Sequence, residues 1–129
     1  MNITVLYLAL LAILFVVLSV RTIRLRRSLK IAVGDAGNSR MLRAMRVHSN
    51  FSEYVPLAIL LLYFVENKSA HPFLVHSLGL GLFAGRISHA YGLSQDKENF
   101  KFRVTGMAIT FTVMLTCAGY LLFSYFSAF

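Results

Sequence analysis

The chain alternates between four long apolar blocks and three short connections that carry most of its charged residues. Each block is long enough for a membrane-spanning helix, which needs about 20 residues. The blocks cover residues 3–20, 41–65, 72–93 and 104–126. The first block, ITVLYLALLAILFVVLSV, has no charged residue and is followed by RTIRLRR. A secretory signal would carry its basic residues before the apolar core, so we expect a retained span here.

These blocks predict an all-α fold, an up-down bundle of four transmembrane helices. Four such helices in 129 residues leave only short connections, so consecutive helices run antiparallel within a single transmembrane domain, 1–129. Between the first two spans, the turn-forming pairs Gly-Asp at 34–35 and Gly-Asn at 37–38 predict an irregular loop. In the third span, Gly81 and Gly85 have the spacing that lets two helices approach closely.

The basic residues are distributed unevenly among the connections. The formal net charge is +8, and eight of the thirteen lysines and arginines lie between Arg21 and Arg46. The second connection, ENKSAH, holds only Lys68, whereas SQDKENFKFR adds three more basic residues. Cytoplasmic loops carry the excess of Lys and Arg, which predicts that both termini lie on the non-cytoplasmic side. No basic face lies apart from the apolar blocks, so we expect no nucleic acid partner.

The second block opens with a stripe of polar residues. Arg43, Arg46, Asn50 and Glu53 are spaced 3, 4 and 3 apart, which places them within about 80° of arc on one helix face. A charged residue near the centre of a span costs about 2.5–3.5 kcal/mol on insertion scales, so such residues usually face the bundle interior. Arg43 fits equally well at the interface, with its side chain reaching to the cytoplasmic surface. Glu53 lies too deep for that interpretation.

The third and fourth blocks carry further polar residues near the same end. Arg86 lies about 10 Å inside the end of its span, at about 1.5 Å per residue, and His89 follows one turn later. Because Glu53 is the one carboxylate within the four blocks, we expect Arg86 and Glu53 to approach each other between helices. Arg103 opens the fourth helix, where a positive charge opposes the helix dipole, and this unfavourable position favours a specific role.

The remaining candidate chemistry is limited. The single cysteine, Cys117, excludes an internal disulfide, and we interpret it as a small buried apolar residue. The four histidines are scattered and lack the spacing of a metal site, so we expect no metal. The sequence has no catalytic serine triad, no glycine-rich phosphate loop and no paired carboxylates. The arginines on the cytoplasmic side instead predict a pocket for an anionic molecule, open to both cytoplasm and bilayer.

The polar stripe also resembles a known signature. The pattern R-x-x-R-x-x-x-N-x-x-E-Y-x-P, which includes Tyr54 and Pro56, is similar to that of the MAPEG superfamily, the membrane-associated proteins in eicosanoid and glutathione metabolism. This superfamily includes microsomal glutathione transferases, leukotriene synthases and microsomal prostaglandin E synthase. RLRR at the end of the first helix, GRISHAYG in the third and an arginine opening the fourth support the resemblance. The short loops resemble the small bacterial members, which implies the bacterial inner membrane.

The resemblance implies a homotrimer that binds glutathione between subunits, near the cytoplasmic face. It implies that Arg46, Asn50, Glu53 and Tyr54 bind the tripeptide, with Glu53 taking its amino group. It assigns Arg24 and Arg86 to the carboxylates and the surrounding charge network, His89 to a position held by Tyr or His in relatives, and Arg103 to the glutathione thiolate. Relatives carry a tyrosine where this chain has Leu93.

Three functions fit these features. The first is a membrane-bound glutathione-dependent transferase or peroxidase that activates the thiolate for attack on lipophilic electrophiles or hydroperoxides. The second is a non-catalytic lipid-binding or scaffold membrane protein, since the superfamily contains a member of that kind. The third, a transporter of small anions, is the least favoured because the chain has no broken inverted repeat. In the first, the partners are glutathione, a lipophilic small molecule and the lipid bilayer.

Overall fold

The computed structural model describes residues 2–95, 97 and 99–128, and within these ranges the regular structure is entirely α-helical. The predicted all-α fold is confirmed. Its helices are α1, Ile3–Ser28; α2, Ser39–Asn67; α3, Pro72–Ser94; and α4, Phe100–Phe126. Helix α1 continues beyond the apolar block through RTIRLRRS, because arginine and leucine are good helix formers and no glycine or proline interrupts them.

The loop between α1 and α2 is shorter than the polar segment between the first two apolar blocks, because both helices extend into that segment. The loop contains the expected turns. Gly34 and Gly37 have φ angles of +68° and +72°, in the left-handed region that glycine adopts without a steric penalty. The side chain of Asn38 then accepts hydrogen bonds from the N–H groups of Arg40 and Met41. This cap satisfies donors that the first turn of α2 would otherwise leave unpaired.

The start of α1 is capped from another helix. Glu66, in the last turn of α2, accepts hydrogen bonds from the backbone N–H groups of Ile3 at 2.5 Å and Thr4 at 2.9 Å. A carboxylate at this position satisfies two free donors and also complements the positive end of the helix dipole. Glu66 therefore fixes the beginning of α1 against the end of α2.

Helices α2 and α3 form the centre of the subunit. Helix α1 packs on one side of this pair and α4 on the other, and in the described part of the chain α1 and α4 do not touch. By length and composition, α1 and α4 are apolar enough to cross a membrane; the polar residues of α2 and α3 lower their hydropathy. Many large apolar side chains on α1 and α4 are exposed on the subunit surface, as expected where lipid or another subunit covers them.

Helices α3 and α4 approach very closely near the polar end of the bundle. A Cβ atom on Gly106 would lie 2.5 Å from both the backbone oxygen of Gly85 and the backbone nitrogen of His89. The expected close approach is therefore present at Gly85, whereas a Cβ on Gly81 would find ordinary contact at 3.4 Å from Val113. This packing places the first turn of α4, with Arg103, beside His89.

Candidate functional site

Two of the four residues of the polar stripe on α2, Arg46 and Glu53, lie on the outer side of that helix. Helix α2 buries its apolar face, which includes Ala44, Val47 and Phe51, against its neighbours in the subunit. The side chains of Arg46 and Glu53 are 58% and 48% exposed. The expectation that the stripe faces the interior of the subunit bundle is therefore wrong for Arg46 and Glu53, whereas Asn50 faces α3 and accepts a hydrogen bond from Arg86. Burial of the apolar face is favourable throughout, whereas burial of the stripe would desolvate charged groups.

A polar cavity of about 300 Å³ lies at the end of the bundle where α2 and α4 begin and α3 ends. Its lining residues are Ser39, Leu42, Arg43, Arg46, Asn50, His89, Leu93 and Arg103. Among the lining residues that the structure describes, three are arginines and none is acidic. The cavity therefore offers a strongly positive environment with hydrogen-bond donors, which suits an anionic ligand.

Arg86 is buried behind the wall of this cavity and contacts two of its lining residues. Its side chain is 1% exposed, and its Nη2 donates a hydrogen bond of 2.6 Å to Oδ1 of Asn50. Nη2 also lies 3.4 Å from Nδ1 of the buried His89, and the guanidinium lies over the Phe51 ring at 5.8 Å from its centroid. Arg86 thereby links α3 to α2 and fixes the orientation of two cavity residues.

Arg86 and Glu53, which we expect from the sequence to approach each other between helices, are not in direct contact in the structure. The direct partner of Arg86 on α2 is Asn50, and Glu53 acts on it only through longer-range electrostatic attraction. Glu53 instead lies 3.9 Å from Nη1 of Arg46 on its own helix. Asn50 is one turn closer to the polar end of α2 and turns toward α3, whereas Glu53 points outward from the subunit.

The sequence-predicted site residues are only partly brought together within one subunit. Arg46, Asn50, His89 and Arg103 share the cavity, with Arg86 bonded to Asn50 and His89. Glu53 and Tyr54 lie beyond its lining, and the ring of Tyr54 packs against Phe111 at 5.5 Å between centroids. Arg24 lines a different cleft, on the side of α1.

Four of the eight cavity residues were absent from the predicted site, namely Ser39, Leu42, Arg43 and Leu93. Arg43 lines the cavity, and its Nη1 donates a hydrogen bond of 2.5 Å to the backbone oxygen of Gln95, just after α3. Its position three residues before Arg46, on the same helix face, was the available signal. Leu93 forms part of the wall where the resemblance expects a tyrosine, so this position provides apolar contact and no hydroxyl group.

An apolar cleft of about 520 Å³ adjoins the cavity along α4. It is lined by Phe100, Arg103, Val104, Met107, Ala108 and Phe111. Arg103 is the residue that both clefts share. A polar anion in the cavity and a lipophilic molecule in the apolar cleft would therefore both contact Arg103.

Comparison with known proteins identifies the family of this chain. Residues 4–123 match the model of the MAPEG family, and the chain therefore belongs to this family of membrane proteins. It is similar to the inner membrane protein YecN of Escherichia coli strain K12, with 38% identity over 113 residues, which is 88% of this chain and 85% of YecN. YecN of Escherichia coli O6:H1 strain CFT073 shows the same identity and coverage.

Proposed function

We propose that the protein is a glutathione-dependent transferase or peroxidase of the inner membrane, formed by four-span subunits in a homotrimer. The observation that carries this proposal is the position of Arg103, shared by the basic cavity and the apolar cleft. A thiolate in the cavity would lie beside a fixed cation and next to a surface for its lipophilic reaction partner. Proximity and electrostatic stabilisation are the two contributions that this arrangement can make.

The charges of glutathione match the residues at this end of the bundle. Its two carboxylates suit Arg43 and Arg46, whose guanidinium groups can each donate several hydrogen bonds. Its amino group suits the exposed carboxylate of Glu53. Arg103 then favours the ionised thiol, since a nearby cation lowers the pKa of a thiol from its ordinary value of about 8.5.

The chemistry follows from the activated sulfur. With a carbon electrophile, the thiolate forms a carbon–sulfur bond and the leaving group departs with the bonding electron pair. With a hydroperoxide, the thiolate attacks the terminal oxygen, the O–O bond breaks, and the alcohol leaves after taking up a proton. A second glutathione then reduces the sulfenic acid to give water and glutathione disulfide.

The outward position of Arg46 and Glu53 supports a site between subunits. Arg46 and Glu53 are half-exposed in the single chain, and a neighbouring subunit would cover them. The resemblance implies that Arg24 takes part in carboxylate binding, but within one subunit Arg24 lines another cleft. In this proposal, a neighbouring subunit therefore supplies Arg24. The excess of basic residues at this end of the helices supports a cytoplasmic location of the site and non-cytoplasmic termini.

A conjugation assay tests this proposal. Purified protein in detergent is mixed with glutathione and a lipophilic aryl chloride, and the thioether product is followed by absorbance. We expect turnover by the wild type. In Arg103→Ala, the rate of product formation should fall at least tenfold, as when a charge-stabilising donor is removed. Lys101→Ala removes an exposed cation from the same turn of α4 and should keep the activity. Absence of glutathione-dependent turnover in the wild type would contradict the proposal.

The second candidate is a non-catalytic lipid-binding or scaffold protein with the same fold. Leu93 favours it, because the resemblance implies a tyrosine at this position and leucine provides no hydroxyl group in the cavity wall. Binding of glutathione without conjugation or peroxide reduction, across several lipophilic electrophiles, would support this candidate over the enzyme.

A further inference from the structure

A second basic cleft lies at the same end of the bundle, between the end of α1, the start of α2 and the end of α3. It has a volume of about 520 Å³ and is lined by Arg21, Arg24, Leu25, Ser28, Arg40, Arg43, Ser94 and Gln95. Four of these eight described residues are arginines, and none of the eight is acidic. The proposed glutathione site does not account for Arg21 or Arg40.

Two of the four guanidinium groups are held in place by α3 and the residue after it. Nη1 of Arg21 donates a hydrogen bond of 2.5 Å to Oγ of Ser94, and Nη1 of Arg43 donates one of 2.5 Å to the backbone oxygen of Gln95. A guanidinium has five N–H donors, so each keeps further donors for a ligand. The cleft is therefore organised before any ligand binds, which reduces the entropy cost of binding.

An apolar groove continues from this cleft along α1. It is lined by Val16, Val17, Val20, Arg21 and Arg24, and has a volume of about 420 Å³. Arg21 and Arg24 belong to both the groove and the basic cleft. Val17, Arg21, Arg24 and Ser28 follow one another at spacings of 4, 3 and 4, so one helix face leads from apolar to basic surroundings.

We infer that the basic cleft and the groove together bind an anionic glycerophospholipid, with its phosphate among the arginines and an acyl chain along the valines. Basic pockets between helices at the cytoplasmic end of a membrane protein suit anionic head groups. A zwitterionic lipid would bring an ammonium group close to four guanidinium groups, which repel it. A free phosphate or carboxylate would leave the groove unused, so the combined shape favours a lipid.

Competitive lipid binding tests this inference on the intact protein. The detergent-solubilised chain is exposed to equal amounts of dioleoyl phosphatidylglycerol and dioleoyl phosphatidylcholine, and bound lipid is counted by native mass spectrometry. We expect the wild type to retain phosphatidylglycerol preferentially. The double variant Arg21→Gln/Arg40→Gln should lose roughly 30-fold in phosphatidylglycerol affinity, which is about 2 kcal/mol. The matched control Arg27→Gln/Lys30→Gln removes the same charge from exposed positions outside the cleft and should keep the preference.

Three results would overturn the inference. The first is equal binding of both lipids by the wild type, which requires no variant and stands even if a variant misfolds. The second is a loss in the control double variant as large as that in Arg21→Gln/Arg40→Gln. The third is displacement of the lipid by glycerol phosphate or glutathione at similar concentrations, because the cleft would then be a site for a free anion.

Discussion

The side chains of Arg86 and Asn50 join the two central helices through a hydrogen bond of 2.6 Å between Nη2 and Oδ1. Asn50 is therefore more than a lining residue of the cavity, because it is also the uncharged acceptor for one nitrogen of a buried guanidinium. Arg86 has the same double character, since it touches His89 on one side and Asn50 on the other. The candidate site and the packing of the subunit thus depend on the same contact.

Replacement of Asn50 by leucine tests this contact. Leucine has a similar size but no acceptor, and Arg86 would keep its burial without its partner. We expect the free energy of unfolding to fall by about 1.5–3 kcal/mol, the contribution of a hydrogen bond to a charged group. Unfolding in mixed micelles with increasing denaturing detergent measures the change. Ser49→Ala, which affects a neighbouring hydroxyl on the same helix, is the control, and equal stability of Asn50→Leu and the control would contradict this interpretation.

Substitution of Arg46, unlike that of Asn50, should leave the stability of the protein nearly unchanged. Its contact with Glu53 is 3.9 Å long and both side chains are about half-exposed, so the pair contributes at most about 1 kcal/mol to stability. In Arg46→Gln, we expect an unfolding free energy within that margin of the wild type. Glutathione affinity, measured by calorimetric titration, should fall about tenfold, or about 1.4 kcal/mol. Unchanged affinity in this variant would remove Arg46 from the proposed site.

The close approach of α3 and α4 can be tested with two glycines on one helix. In Gly106→Ala, the new Cβ would meet backbone atoms of Gly85 and His89 at 2.5 Å, and backbone cannot move aside as a side chain can. We expect a loss of about 1–3 kcal/mol in unfolding free energy, typical of overpacking. In Gly119→Ala, nothing lies within 4 Å of the new atom, and a gain of up to about 1 kcal/mol is expected from helix propensity. Equal effects of the two substitutions would show that the helices are not in close contact at Gly106.

Glu66 should make stability depend on pH in the acidic range. Burial acts to raise the pKa of this carboxyl, but hydrogen bonds from Thr4 and Ile3 outweigh it and hold the pKa below its ordinary value. The carboxylate's contribution is therefore fully present above the ordinary pKa of about 4.3 and is lost as the pH falls through the lower folded-state value. Glu66→Gln should lose about 0.5–2 kcal/mol at neutral pH, as other cap deletions do.

Thermal unfolding in detergent between neutral and acidic pH measures this effect. The difference in stability between the wild type and Glu66→Gln should shrink as the pH falls. Asn67→Gln, at the exposed next residue, should follow the wild type at every pH. A difference that stays constant, or grows toward low pH, would show that the carboxylate does not cap α1.

The four helices could be predicted because their signal is repeated over many residues. Each apolar block contributes its own length and composition, and the turn residues around Gly34 and Gly37 mark the loop independently. The cap by Glu66 could not be predicted, because it joins residues far apart in the chain. In the sequence, Glu66 reads as part of a polar connection, and only the packing of α1 against α2 brings it to the free N–H groups.

For the site, the residue types were predictable and their partners were not. The spacing of Arg46 and Asn50 on one face identified the stripe, but both faces of α2 are compatible with burial until the other helices are placed. The sequence predicted Glu53 as the partner of Arg86, whereas the structure has Asn50 in that place. The two residues lie one turn apart on α2, and only the packing of α2 against α3 decides which of them faces Arg86. No signal in the sequence indicates which of the two basic clefts Arg24 lines, because both clefts lie at the same end of the bundle.

The state of the glutathione sulfur tests the central claim most directly. The difference absorbance in the thiolate band is recorded when glutathione is added to the detergent-solubilised protein at neutral pH, for the wild type, Lys101→Ala and Arg103→Ala. If Arg103 stabilises the thiolate, the band appears in the first two and is lost in Arg103→Ala, while calorimetry still detects glutathione bound to that variant. An equal thiolate band in Arg103→Ala, or no binding to the wild type at millimolar glutathione, would contradict the claim.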